Sequence, residues 1–259
     1  MPDLREEDRG PARWLILDRP AQRNALTPAL IAALREALAR ADQARDVRVI
    51  ALSGAGDKAF CSGMDLAAAA ESQAGLLAAH EARRAYAALL LDFTRVGKPL
   101  VASVSGAVMA GGLGLLASCD LAVAAEEATF GAPEVDVGLF PYMALAPLSR
   151  CIGRRAALEL VFTARRLDAA EARAIGLVNR CVPRAELAQR TQELLETIAQ
   201  KSPTALRLGR RAFYATQDLP YEQQLEALCA QLSVNALADD ALEGVAAFLE
   251  KRAPQWKGS

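Results

Sequence analysis

Four short apolar runs constrain this chain most. Ala12–Asp18 (ARWLILD), Val47–Ser53 (VRVIALS), Pro99–Val104 (PLVASV) and Asp120–Ala124 (DLAVA) place apolar residues at successive positions. Such runs suit strands buried on both faces. Between them lie Ala/Leu-rich stretches with helical spacing. One runs from about Ala29 to Ala41, opened by Thr27 as N-cap and Pro28 at the first helical position. Another spans Glu71–Thr94. Strands alternating with helices argue for a parallel α/β core. From about Met143 the pattern changes to helical pieces, broken by the extended VNRCVP, with helices expected near 186–200, 204–216, 221–237 and 241–252. The expected division is an α/β core over 1–195 and a C-terminal helical region over 196–259. That tail has too little room for a large core of its own and is expected to pack on the core or on another subunit.

Charge and composition exclude several functions. The net charge of -1 exerts no bulk pull on nucleic acid or anionic membranes. One histidine, His80, leaves no multi-His metal site and removes most Ser/Cys–His arrangements; a surface position on a helix suits it best. Five widely spaced cysteines form no C-x-x-C pair, which fits free thiols in a reducing compartment. The polar start carries no apolar signal core, and no apolar run reaches the roughly 18 residues a membrane span requires. A cytoplasmic protein is expected, with no nucleic-acid or membrane partner.

Two glycine-bearing loops each follow a strand: SGAGDKAFCSGMDL (53–66) and SGAVMAGGLGLLASCD (105–120), the latter expected to become helical at Leu115–Ser118. In α/β folds, loops beyond the carboxyl ends of strands carry ligands. Glycine lets a ligand approach main-chain N–H groups closely. The dinucleotide pattern fails after Gly54-Ala55-Gly56, and no G-x-x-x-x-G-K-[ST] phosphate loop occurs. Tight turns would explain either loop alone. Acting together, the two loops suit backbone donors around an oxyanion.

In order and spacing, Asp18-Arg19-Pro20…Asn24-Ala25-Leu26, Ala59-Phe60-Cys61-Ser62-Gly63-Met64-Asp65-Leu66, Ala110-Gly111-Gly112-Leu113-Gly114…Cys119-Asp120 and Phe130-Gly131-Ala132-Pro133-Glu134 resemble the enoyl-CoA hydratase/isomerase (crotonase) superfamily. So do Ala170-Glu171-Ala172…Gly176-Leu177-Val178 and Phe248-Leu249-Glu250-Lys251-Arg252. The resemblance covers essentially the whole chain. It implies a spiral of ββα units, with C-terminal helices that build a homotrimer or a dimer of trimers and help close the CoA pocket. It implies an acyl-CoA thioester as substrate, with coenzyme A part of that substrate and no metal or redox cofactor. It assigns the backbone N–H groups of Met64 and Gly111 to an oxyanion hole. It places the CoA end near Gln22, Arg23, Ala25 and Leu26, and near Ala59, Phe60, Ser62, Gly63, Asp65 and Leu66. Phe248 and Lys251 match C-terminal positions that reach this pocket, in some relatives from a neighbouring subunit; helix packing and a solvated face are their alternatives. Arg23 and Lys58 could pair with phosphate or stand as surface charges. Asp65 and Asp120 are equally suited to fixing loops and helices.

The carboxylates bear on the reaction. Hydratases of the family resembled use two Glu residues, one in G-G-x-x-E and one in F-G-x-P-E. Here Gly114 stands in the first slot and Glu134 in the second. One carboxylate can still move a proton between Cα and Cγ, so the residues favour double-bond isomerisation. The alternatives are a hydratase with a substitute second group, or an acyl-CoA-binding protein of low activity. Asp136 would point along with Glu134 if this stretch were extended. Tyr142 could line the wall or donate a hydrogen bond. The Ala-rich 67–94 stretch with Met109, Leu139, Phe140 and Met143 suits a hydrocarbon acyl chain, or plain core packing.

Overall fold

The structure, a computed structural model, describes residues 3–65 and 75–259. The expected Leu66 contact and part of the Ala-rich wall lie outside the described residues. A six-stranded sheet has the order β1-β2-β3-β5-β7-β10 and a four-stranded sheet the order β4-β6-β8-β9. The strands are β1 (Leu4–Arg9), β2 (Ala12–Leu17), β3 (Val49–Gly54), β4 (Ala59–Cys61), β5 (Leu100–Val104), β6 (Ala107–Met109), β7 (Leu121–Ala125), β8 (Phe130–Gly131), β9 (Arg166–Leu167) and β10 (Arg180–Val182). The helices that matter below are α1 (Pro28–Gln43), α2 (Leu76–Arg95), α3 (Gly111–Ser118) and α4 (Tyr142–Ile152). After α5 (Arg154–Thr163) and α6 (Ala169–Ala174) come α7 (Leu187–Ala199), α8 (Pro203–Thr216), α9 (Tyr221–Ala236) and α10 (Asp239–Leu249).

Each turn of the fold gives one strand to each sheet. β3 enters the large sheet and β4 the small one, then α2 follows. β5, β6 and α3 repeat the step, and β7 and β8 begin it again. The expected ββα spiral is therefore present. The large-sheet strands explain the continuous apolar runs. Leu15, Leu17, Ile50, Leu52, Ala102 and Val104 face a core shared with α1, α2 and α3. Trp14, Ile16, Val49, Ala51, Val101 and Val123 face the other way, onto Leu187, Leu194 and Leu195 of α7. Alternate side chains point to opposite faces, and both faces are covered.

Three features depart from the expectations. β1 is a polar edge strand, LREEDR, antiparallel to β2. It has no apolar alternation to reveal it; Arg13 of β2 pairs with Asp8 and Glu6 across the strands, and such charge blunts an exposed edge. The second glycine loop becomes helical at Gly111, four residues before the expected Leu115. Close packing of α3 overrides the poor helix propensity of three glycines. Residue 195 falls inside α7, which runs unbroken to Ala199; the C-terminal helices begin with α8. Among the described residues, no helix is long and apolar enough to cross a membrane.

Candidate active site

β4, β6 and β8 are adjacent and parallel in the small sheet. Their carboxyl ends therefore lie side by side. Gly63-Met64 follows β4, Ala110-Gly111 follows β6, and Glu134 comes three residues after β8. The Ala110 N–H donates to the Gly131 carbonyl at 3.0 Å, tying the second turn to the third. Gly63 has φ +94°, and a Cβ there would lie 2.7 Å from the Ala110 Cβ and 3.0 Å from the Gly111 nitrogen. Ala110 turns the chain from β6 into α3 at φ 53°, ψ -124°, a strained conformation for a non-glycine residue.

These turns leave two donors available. The Leu26 N–H donates to the Gly63 carbonyl at 2.8 Å, and the Asp65 N–H donates to the Leu26 carbonyl at 2.9 Å. The Met64 N–H, between them on the chain, points away from Leu26. Gly111 is the first residue of α3, where N–H groups lack intrahelical acceptors. Among the described residues, neither N–H donates a hydrogen bond. The helix dipole adds partial positive charge at Gly111.

Glu134 sits in a 3-10 turn over Pro133–Val137 and is half-buried. One carboxylate oxygen is buried with no hydrogen-bond partner among the described residues. Burial raises its pKa, opposed by its own backbone N–H. The segment is a 3-10 turn and not extended, so the condition under which Asp136 would point along with Glu134 is not met. In a helical turn, residues two apart diverge, and Asp136 is exposed.

Tyr86 was not singled out in the sequence. It projects from α2, is 2% exposed, and donates its hydroxyl to the Gly111 carbonyl at 2.5 Å. A Cβ at Gly114 would overlap that hydroxyl and come within 3.1 Å of the Ala144 Cα. A Cβ at Gly112 would overlap the Cys61 carbonyl. Burial pushes the Cys61 thiol up to about 12, which removes it as a thiolate nucleophile at neutral pH.

The segment before α1 runs beside the first glycine loop. Ser62 N–H donates to the Arg23 carbonyl at 3.1 Å, and Leu26 bridges Met64. Buried Asn24, at φ 56°, donates to the carbonyls of Ala55 and Ala59 at 3.0 and 2.8 Å and accepts from the Arg19 N–H. The motif contained Asn24, but its clamping role rests on partners more than 30 residues away. Gln22, Arg23 and Lys58 are exposed, while Ala25, Leu26, Ala59, Phe60 and Gly63 are buried, with Ser62 between. Asp65 takes both Arg19 guanidinium nitrogens on one oxygen, at 3.0 and 3.1 Å, so its carboxylate fixes the loop.

The remaining expected site residues lie elsewhere. Tyr142, 78% exposed, sets its ring 5.0 Å from that of Phe140, tilted at 52°, and lines a cleft of about 1070 Å³ between α2, α4 and α8. That cleft includes none of Met64, Gly111 and Glu134, so its size does not mark the chemistry. Phe248, 81% exposed, lines a groove with Ser202, Gly244 and Trp256 that includes no glycine-loop residue. Lys251 lies beyond α10 rather than on it, at φ 56°, because the Arg252 N–H reaches back to the Ala247 carbonyl and closes the helix. His80 is exposed on α2. Asp120 is structural: it accepts from Arg210 at 2.7 Å, Tyr214 at 2.6 Å and the Leu100 N–H at 2.7 Å. Among the described residues, no group of three His, Cys, Asp or Glu could hold a metal ion.

Comparisons with known proteins bear on the fold and the family. Enoyl-CoA hydratase EchA19 of Mycobacterium tuberculosis is 36% identical, covering 99% of this chain and 97% of its own. The mitochondrial enoyl-CoA hydratase domain-containing protein 3 of Homo sapiens is 36% identical, covering 94% of this chain and 80% of its own. The crystal structure of an enoyl-CoA hydratase from Mycobacterium smegmatis superposes with a TM-score of 0.94 at 34% identity, covering 99% of both chains. The sequence pattern of the enoyl-CoA hydratase/isomerase family matches residues 14–259, and the chain belongs to that family.

Proposed function

We propose that this protein acts on an enoyl-CoA thioester and shifts its double bond by moving one proton through Glu134. The observation that carries this reading is the half-buried Glu134 carboxylate with an unpartnered oxygen, together with glycine in place of a second carboxylate at position 114. The thioester oxygen accepts from the Met64 and Gly111 N–H groups. The Glu134 carboxylate takes a proton from Cα of a 3-enoyl thioester. The Cα–H electron pair flows into a dienolate whose negative charge rests on that oxygen. The same carboxyl group then returns the proton to Cγ and leaves a 2-enoyl thioester. One such backbone donor is typically worth about 3–4 kcal/mol in the transition state. The raised pKa of Glu134 strengthens it as a base.

Hydration is the second reading, favoured by the names of the relatives. It requires a group besides Glu134 to hold and split water, and Asp136, two residues on in the same 3-10 turn, is exposed. The purified protein incubated separately with a 3-enoyl-CoA and with crotonyl-CoA distinguishes the two. Isomerisation predicts growth of conjugated-thioester absorbance from the first substrate. Hydration predicts its loss from the second. Glu134→Gln should abolish the first change while leaving CoA binding intact; undiminished turnover would refute the reading. Assembly into a trimer or dimer of trimers would cover Leu232, Leu237 and neighbouring apolar residues around α9, which has no buried residue. Light scattering measures that directly.

A further inference from the structure

Tyr86 is a buried polar side chain that the proton shuttle does not use. Its ring lies against the face of α3 that carries Gly111 and Gly114. These two are three residues apart and so share one side of the helix. The phenol Cζ and hydroxyl lie 3.5 Å from where a Gly111 Cβ would be, and the hydroxyl fills the space of a Gly114 Cβ. The hydroxyl donates to the Gly111 carbonyl at 2.5 Å. Its helix is anchored in the core by Leu89, Leu90 and Phe93.

We infer that Tyr86 is a positioning residue of the oxyanion hole, holding Gly111 by its carbonyl so that the Gly111 N–H stays aimed at the thioester oxygen. The carbonyl and the N–H belong to the same residue and are joined through its Cα. Gly111 has no side chain to restrain it, and its neighbour Ala110 is strained. A fixed hydrogen bond from a packed helix supplies the restraint. The phenol suits the task because burial holds its pKa well above the ordinary value, so it remains a donor across the working pH range. This role also accounts for glycine at 114, since any larger residue would displace the hydroxyl.

The inference rests on the proposed function; a double-mutant cycle tests the positioning role, and Glu134→Gln measured alongside tests the function itself. Tyr86→Phe keeps the ring and removes the donor. With a 3-enoyl-CoA, kcat should fall roughly ten-fold, less than the roughly 100- to 1000-fold loss expected when a donor is removed outright. KM should stay within about two-fold, because binding of the CoA end does not depend on this donor. Gly114→Ala should lower kcat in the parent protein and lower it less in the Tyr86→Phe background, because the displaced hydroxyl is already gone. Thermal melting confirms that each variant is folded at the assay temperature. Additive effects, or Tyr86→Phe with kcat within about two-fold of the parent, would overturn the positioning role. Glu134→Gln measured alongside identifies which idea has failed. If it abolishes turnover while Tyr86→Phe is silent, the positioning role alone is wrong; if it retains turnover, the proton-shuttle reading itself is wrong.

Discussion

Gly63→Ala tests the approach of the two glycine loops, and Gly10→Ala supplies its control. Gly63 has φ +94° and Gly10 φ +59°, so each substitution forces an L-residue into positive φ. That costs about 1–2 kcal/mol. Nothing lies within 4 Å of a Cβ at Gly10, so the cost ends there. At Gly63 the added methyl would meet the Ala110 Cβ at 2.7 Å and the Gly111 nitrogen at 3.0 Å. Separating them adds the strain of an overpacked core, about 1–3 kcal/mol. The total at Gly63 is about 2–5 kcal/mol, against a typical domain stability of about 5–15 kcal/mol. Urea titration at matched protein concentration should show Gly63→Ala less stable than Gly10→Ala by about 1–3 kcal/mol. Relieving the contact also moves the Gly111 donor, so turnover of a 3-enoyl-CoA should fall roughly 100-fold, while Gly10→Ala leaves it unchanged. Equal destabilisation of the two variants, with activity retained in both, would refute the close approach and the donor geometry built on it.

Glu134→Gln should raise the melting temperature at neutral pH while it removes activity. The folded pKa of Glu134 is raised by burial, so its contribution is most favourable below the unfolded value of 4.5 and is lost as pH rises through the folded pKa. The gain should therefore vanish in melts below that range. Buried Asp240 accepts from Ser202 Oγ at 2.8 Å and from the N–H groups of Lys257 at 2.8 Å, Gly258 at 3.0 Å and Thr204 at 3.3 Å. Burial alone would raise its pKa, but these donors hold it below 3.8. Asp240→Ala should cost about 2–4 kcal/mol at pH 7, measured by urea unfolding, and the difference should shrink as pH falls through the folded pKa. Arg210→Met strands the Asp120 charge and should cost about 3 kcal/mol, partly recovered by adding Asp120→Asn; thermal melts of the single and double variants measure this. Gly114→Glu alone should give no hydratase activity on crotonyl-CoA, because Tyr86 and Ala144 occupy the space its side chain needs.

Much of the core was legible because burial on two faces writes itself into consecutive residues. β2, β3, β5 and β7 follow the apolar runs, and Thr27-Pro28 opens α1 with the Thr27 side chain accepting from the Leu30 N–H. β4 and β6 were hidden inside the glycine loops, and β8 is the two-residue Phe130-Gly131 of the next motif. Two or three residues hold no period, and these strands exist because neighbouring turns of the fold pair them. β1 was hidden by charge, and the direction of Asp136 depended on whether its segment is extended or a 3-10 turn, which no local pattern there decides.

Taken alone, the sequence determined the alternation of strands and helices, the two glycine loops, the family motifs and Glu134 with a glycine at position 114. Those are local signals, readable within a few residues. The tertiary structure decided which donors stay unpaired, that Asp65 is spent on Arg19, and what fills the room at Gly114. The Tyr86 hydroxyl reaches Gly111 across 25 residues of sequence. No spacing rule connects α2 to the glycine face of α3, because packing in three dimensions sets that contact.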